Sequence, residues 1–119
     1  MDRNKENINL EFTYMHKDKE LAHIIEYSNG KVEMDLYSDD FLDNPLRNGV
    51  NKHGLERFFE DRCFPRSRAN ARELLDLLGL DHYNPRYIVM ETHGVQYDDF
   101  YWIKFDGETI SWSDVKVRD

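Results

Sequence analysis

The sequence predicts an α+β domain in which an antiparallel sheet, built from an N-terminal meander and a C-terminal hairpin, carries two to three helices on one face. Three observations support this expectation. Apolar and polar residues alternate over 9–37, apolar residues recur at helical spacing between 52 and 78, and alternation returns after residue 99.

The meander reads as three strands. Leu10, Phe12 and Tyr14 alternate with Glu11 and Thr13, as in a strand with one buried face. The polar run His16-Lys17-Asp18-Lys19 turns the chain, and Ala22, Ile24, Ile25 and Tyr27 continue as a second strand. Ser28-Asn29-Gly30 is a hairpin signal, because asparagine and glycine tolerate the positive φ of tight turns. Val32, Met34 and Leu36 then alternate with Glu33, Asp35 and Tyr37, so Val32, Met34 and Leu36 are expected in the core, and Glu33 and Asp35 in water. Residues 38–51 form a polar connection with turn signals at Asn44-Pro45 and Asn48-Gly49.

Leu55, Phe58, Phe59 and Arg62 share one face of a helix over about 52–63, which Pro65 cannot continue. A second helix is expected over about 67–78. Ser67 would cap it, Ala71, Leu74, Leu75 and Leu78 would form its apolar stripe, and Gly79 would stop it. Asn84-Pro85 and Gly94 would bracket a third helix, while Tyr87-Ile88-Val89-Met90 suits a buried strand equally well. Tyr101, Ile103 and Phe105 alternate with Trp102 and Lys104. Asp106-Gly107 would then return the chain through Thr109-Ile110-Ser111-Trp112 as the closing hairpin.

Composition agrees with one folded unit. A chain of 119 residues with 39% apolar and 13% aromatic side chains can build one ordinary core, expected here over 9–119 after a flexible, charged segment at 1–8. Cys63 is the only cysteine, so no intrachain disulfide forms. The first residues lack the apolar core of a signal peptide, and no apolar run reaches the roughly 20 residues that cross a bilayer. A cytoplasmic protein without membrane contact is expected. The net charge is −8, and both ends of the chain are acidic around a slightly basic middle at 51–80. Such a balance argues against direct nucleic-acid binding, which relies on a basic face.

Chemistry-bearing motifs are sparse. The sequence holds no glycine-rich phosphate loop, no G-x-S-x-G elbow, no H-E-x-x-H and no paired Cys-x-x-Cys. The five histidines show no ligand-like spacing, so neither a catalytic set, a metal site nor a cofactor is expected, and the protein reads as a non-enzyme. His93 near Asp98 and Asp99 is the one conceivable metal cluster, and a histidine beside a glycine turn is more simply loop surface. Cys63 lies between Arg62 and Arg66, which would lower its pKa if it were exposed, whereas a packing cysteine would be inert. Arg57, Arg62, Arg66, Arg68 and Arg72 form the one dense cluster. They could hold an anion at a helix start, or pair with Glu56, Glu60, Asp61, Glu73 and Asp76 as a solvated face.

The run Leu55-Glu56-Arg57-Phe58-Phe59-Glu60-Asp61-Arg62-Cys63-Phe64-Pro65-Arg66-Ser67-Arg68 resembles the helix–Pro–Arg element of the N-terminal subdomain of HipA-type kinases, most closely a divergent HipA-like group of Firmicutes. The resemblance extends in order through Tyr14-Met15-His16-Lys17-Asp18, Leu74-Leu75-Asp76-Leu77-Leu78-Gly79-Leu80, Asp99-Phe100-Tyr101-Trp102-Ile103-Lys104 and Trp112-Ser113-Asp114-Val115, and so covers roughly 14–115. Residues 38–51 depart from it. The resemblance stops short of the family's kinase domain, so no ATP-binding or catalytic residue carries over.

It implies a free-standing subdomain that binds and restrains a HipA-like toxin kinase, with Arg62, Arg66, Arg68, Tyr101 and Trp102 as partner contacts. The alternative is an acidic inhibitor of phage or mobile-element type, such as an anti-CRISPR or DNA mimic. It would set Glu33, Asp35, Asp39, Asp40 and Asp43 against the basic groove of a CRISPR or other nucleic-acid enzyme.

Overall fold

A computed structural model describes residues 7–117, in the order β1 (Ile8–His16), β2 (Lys19–Tyr27), β3 (Val32–Leu36), α1 (Lys52–Asp61), α2 (Ala71–Leu77), α3 (Pro85–Thr92), β4 (Tyr101–Phe105) and α4 (Trp112–Val115). The strands form one antiparallel sheet in the order β3-β2-β1-β4, so the fold is α+β. Most of the flexible segment expected at 1–8 lies outside the described residues, and Ile8 already belongs to β1.

Turn chemistry sets the meander's register. Gly30 takes φ +92° and its N–H donates to the Tyr27 carbonyl, which makes a three-residue loop, 28–30, closed by the bond from the Tyr27 N–H to the Lys31 carbonyl. A bulge opposite Tyr14 and Met15 leaves Leu21 unpaired in β2. As a result Leu21 and Ala22 both enter the core.

One face of the sheet carries Phe12, Tyr14, Ile24 and Ile103, and packs against Leu55, Phe58 and Phe59 of α1 and Ile88 and Val89 of α3. Phe12 lies parallel to Phe58 at 6.0 Å and tilted to Phe59 at 5.7 Å, so the aromatic-rich stretch of α1 meets the aromatic strand directly. Asn51 caps α1 through its side chain, which accepts from the Gly54 N–H at 2.8 Å. The helix bracketed by Asn84-Pro85 forms as α3, with Asn84 as its cap and His93, at φ 59°, ending it one residue before Gly94. Gly79 closes α2: its N–H reaches Asp76 and that of Leu80 reaches Leu75, the paired bonds of a Schellman end. Among the described residues no helix is long and apolar enough to cross a membrane.

Four expectations are corrected. The closing hairpin does not form: Ser111 and Asp114 make a reciprocal capping box, and the chain enters α4 instead of returning as a strand. The outer edge of β4 is also occupied, since the Tyr101, Ile103 and Phe105 amides donate to Asp99 Oδ1, the His93 carbonyl and Glu108 Oε1. Ser67 is no cap, because residues 65–70 form successive turns and α2 begins only after Asn70. Leu36 is exposed, because it ends an edge strand beyond the reach of the helices, and Leu74, Leu78 and Met34 are only partly buried. Val32, Phe58, Phe59 and Leu75 are core residues as expected.

Candidate functional site

The arginine cluster divides into separate roles. Arg57 and Arg72 pair with Asp61 and Asp76 one helical turn away, the solvated arrangement read as an alternative above. Arg72 also closes the α2 end by donating to the Leu80 and Asp81 carbonyls. Arg62 is only 7% exposed. Its Nε donates to the Gly94 carbonyl, one Nη group donates to Tyr101 O, and the fork grips Asp99 at 2.9 and 3.0 Å. This holds the start of β4 on the end of α1, so Arg62 acts inside the fold and offers no partner contact. Burial alone would raise the Asp99 carboxyl, but the hydrogen bond and charge of Arg62 outweigh it and hold the group below its ordinary value.

Trp102 is likewise withdrawn from the proposed contact set. It is 0% exposed and its indole N–H donates to the Lys17 carbonyl at 2.6 Å. Tyr101 is half-buried, stacked on Tyr14 at 5.3 Å, with its hydroxyl donating to Asp43. Arg66 and Arg68 remain exposed. Arg66 lies over the Tyr83 ring at 4.7 Å, and Arg68 borders an open apolar groove of about 590 Å³ lined by Phe64, Leu74, Ile88 and Val95. The five residues therefore do not form one surface. Cys63 is buried, and burial together with nearby Glu60 pushes its thiol up to about 12, as befits a packing cysteine. His93 pairs with Glu108 and Asp99 with Arg62, and no cluster among the described residues could hold a metal ion.

The acidic residues fall into two groups joined by one segment. Glu33 and Asp35 lie on the sheet face opposite the core, where His23 sits across from Asp35 and bonds Glu11 and Thr13. With Ile25 and Met34, His23, Glu33 and Asp35 line a shallow recess of about 280 Å³. Glu33 also accepts from the Tyr27 hydroxyl. Beyond β3, Asp39 and Asp40 are exposed, while Asp43 is half-buried and accepts from Ser38 and Tyr101. Asp40 caps a short 3₁₀ turn, Phe41–Asp43, by accepting from the Leu42 N–H. That turn holds Phe41 and Leu42 outward at 67% and 63% exposure, and Tyr37 is 56% exposed.

Sequence reasoning missed two features. One is the exposed pair Phe41-Leu42 inside a run read as a polar connection, next to Tyr37, which reads with the wet face of the third strand; the Asp40-x-Leu42 turn was its signal. The other is a network around the buried Glu26, in which Arg86 binds Glu26 at 2.7 and 2.9 Å and Glu56 at 2.7 Å, with Asn9 completing Glu26. Glu26, at a core-facing position of β2, and Arg86, just inside α3, carried no local signal because they lie 60 residues apart. No protein-family model matches the chain, and no curated protein or solved structure matches it significantly.

Proposed function

We propose that this is a non-enzymatic regulatory protein that binds a protein partner through the exposed segment from Leu36 to Leu42. One observation carries the reading. Tyr37, Phe41 and Leu42 are each more than half exposed within six residues of chain, interleaved with the exposed Asp39 and Asp40. Large apolar side chains grouped on a surface and rimmed by charge mark interaction sites more often than idle surface. The turn that presents Phe41 and Leu42 is itself held by Asp40 and Asp43, so the patch is preorganised.

The resemblance to the HipA N-terminal subdomain supports a HipA-like kinase as that partner. Its residues Phe58, Phe59, Arg62, Leu75, Trp102 and Ile103 lie inside the fold, so they speak for a shared scaffold and leave partner choice to the surface. The charge of Asp39 and Asp40 favours a second reading, inhibition of a nucleic-acid enzyme at its basic groove.

Co-expression with a HipA-like kinase of the same genome tests both. A stable complex that suppresses the kinase's toxicity, and that Phe41→Ser with Leu42→Ser dissolves, is expected. If no such complex forms and the protein instead inhibits a CRISPR nuclease, with loss on Asp39→Lys and Asp40→Lys and a steep dependence on salt, the kinase reading fails.

A further inference from the structure

The two edges of the sheet are unlike. On β4 all three outward amides are satisfied, by Asp99, the His93 carbonyl and Glu108. On β3 the inward partners are set by the bonds from Tyr27 N–H to Lys31 O and from Tyr37 N–H to Leu21 O. By alternation, Glu33 and Asp35 also bond to β2, and the N–H and C=O groups of Val32, Met34 and Leu36 point away from the sheet. Among the described residues no backbone group pairs with them on that side.

Such an edge is a template for another strand unless something blocks it. Here the block is selective. Two copies of β3 paired antiparallel about Met34 would set Glu33 against Asp35 twice on the face opposite the core, so like charges oppose self-pairing. A strand with lysine or arginine at the facing positions would instead bring a counter-charge to Asp35 and add to the contacts that Glu33 already makes with Tyr27 and Lys31. Its basic side chains would reach the recess lined by His23, Glu33 and Asp35. Its alternate residues would lie on the core side, beside Val32, the partly buried Met34 and the exposed Leu36.

We propose that β3 binds its partner by strand addition, taking an extended segment in which basic and apolar residues alternate. This rests on the protein-binding reading above and adds how the partner is held: main-chain bonds along Val32–Leu36 supply affinity and the acidic face supplies selection. The Tyr37–Leu42 patch follows directly from the end of this strand, so a bound segment would run onto it.

The test uses the full chain and a short synthetic peptide of alternating lysine and valine, blocked at both ends, with a glutamate–valine peptide as control. Fluorescence anisotropy should show binding of the lysine peptide only, and hydrogen exchange should slow at the Val32, Met34 and Leu36 amides. Met34→Pro removes one outward donor without touching a bond to β2, and should weaken binding about tenfold or more. Glu33→Lys with Asp35→Lys should do the same. Where Met34→Pro lowers the melting temperature, the double lysine variant and the wild-type exchange pattern still decide. Equal binding of both peptides, no binding, or slowed exchange at sites other than β3 overturns strand addition. Partner capture through Phe41 and Leu42 tests the binding reading separately, so the two can fail independently.

Discussion

The guanidinium of Arg62 closes on both carboxylate oxygens of Asp99, 37 residues further along the chain, and so fixes the C-terminal strand to the first helix. Arg62→Lys keeps the charge but loses the fork and the bonds to Gly94 and Tyr101. Hydrogen bonds made by a charged group are worth about 1.5–3 kcal/mol each, so a loss of roughly 3 kcal/mol is expected in urea unfolding. Arg57→Lys, on an exposed pair, should change stability by less than about 0.5 kcal/mol.

Glu26 predicts an acid response. Burial would raise its carboxyl, yet hydrogen bonds from Arg86 and Asn9 and the Arg86 charge prevail and hold it below its ordinary value. A depressed folded pKa stabilises fully above the unfolded value and is lost as pH falls through the folded one. Asp99 is depressed in the same sense. Stability should therefore hold down to roughly pH 4 and fall steadily below it. Glu26→Gln should be less stable at neutral pH and should show a shallower acid slope when melting temperature is followed against pH.

Gly54 sits inside α1, where alanine would ordinarily stabilise by up to about 1 kcal/mol. Here a Cβ would collide with the Gly49 carbonyl, leaving the helix no room beside that loop. Gly54→Ala is expected to destabilise by roughly 2–3 kcal/mol despite its better propensity. Gly79→Ala meets no atom, and its φ of +75° alone sets a smaller loss. Thermal unfolding of the pair separates steric from conformational effects.

Cys63 should be silent to thiol reagents in the folded protein. Its thiol is buried and faces the Pro85 carbonyl at 3.4 Å. Labelling with a disulfide reagent should proceed only at the rate of opening, and should become fast in denaturant. Rapid labelling of the native protein at neutral pH would contradict the packing role.

Local chemistry made most of the fold legible. Period-two alternation located β1 to β4, and Asn84-Pro85 and Gly79 marked helix ends because caps act within a few residues. The closing hairpin misled because Thr109–Trp112 has strand-like residues, while the deciding groups were Asp114 and the occupied edge of β4. Arg62 and Trp102 entered as partner contacts only through the resemblance, although Arg62 shares the apolar face of its helix and core packing is the default for a strand aromatic. Their partners Asp99 and Lys17 are distant in sequence, and only the folded chain shows that both side chains face inward. Phe41 and Leu42 were passed over because a short turn carries no period to read.

The sheet order places β1 between β2 and β4, although β4 is made long after the other three strands. At translation rates of about 5–20 residues per second, the stretch separating β3 from β4 takes roughly 3–13 s to synthesise. During that interval α1 and α3 can settle on the Phe12 and Tyr14 face, but the backbone edge of β1 that β4 will occupy stays open. Folding of this chain on the ribosome is therefore gated by its last strand, and the waiting meander is the form most exposed to chaperones, to proteases and to pairing with its neighbours on a polysome.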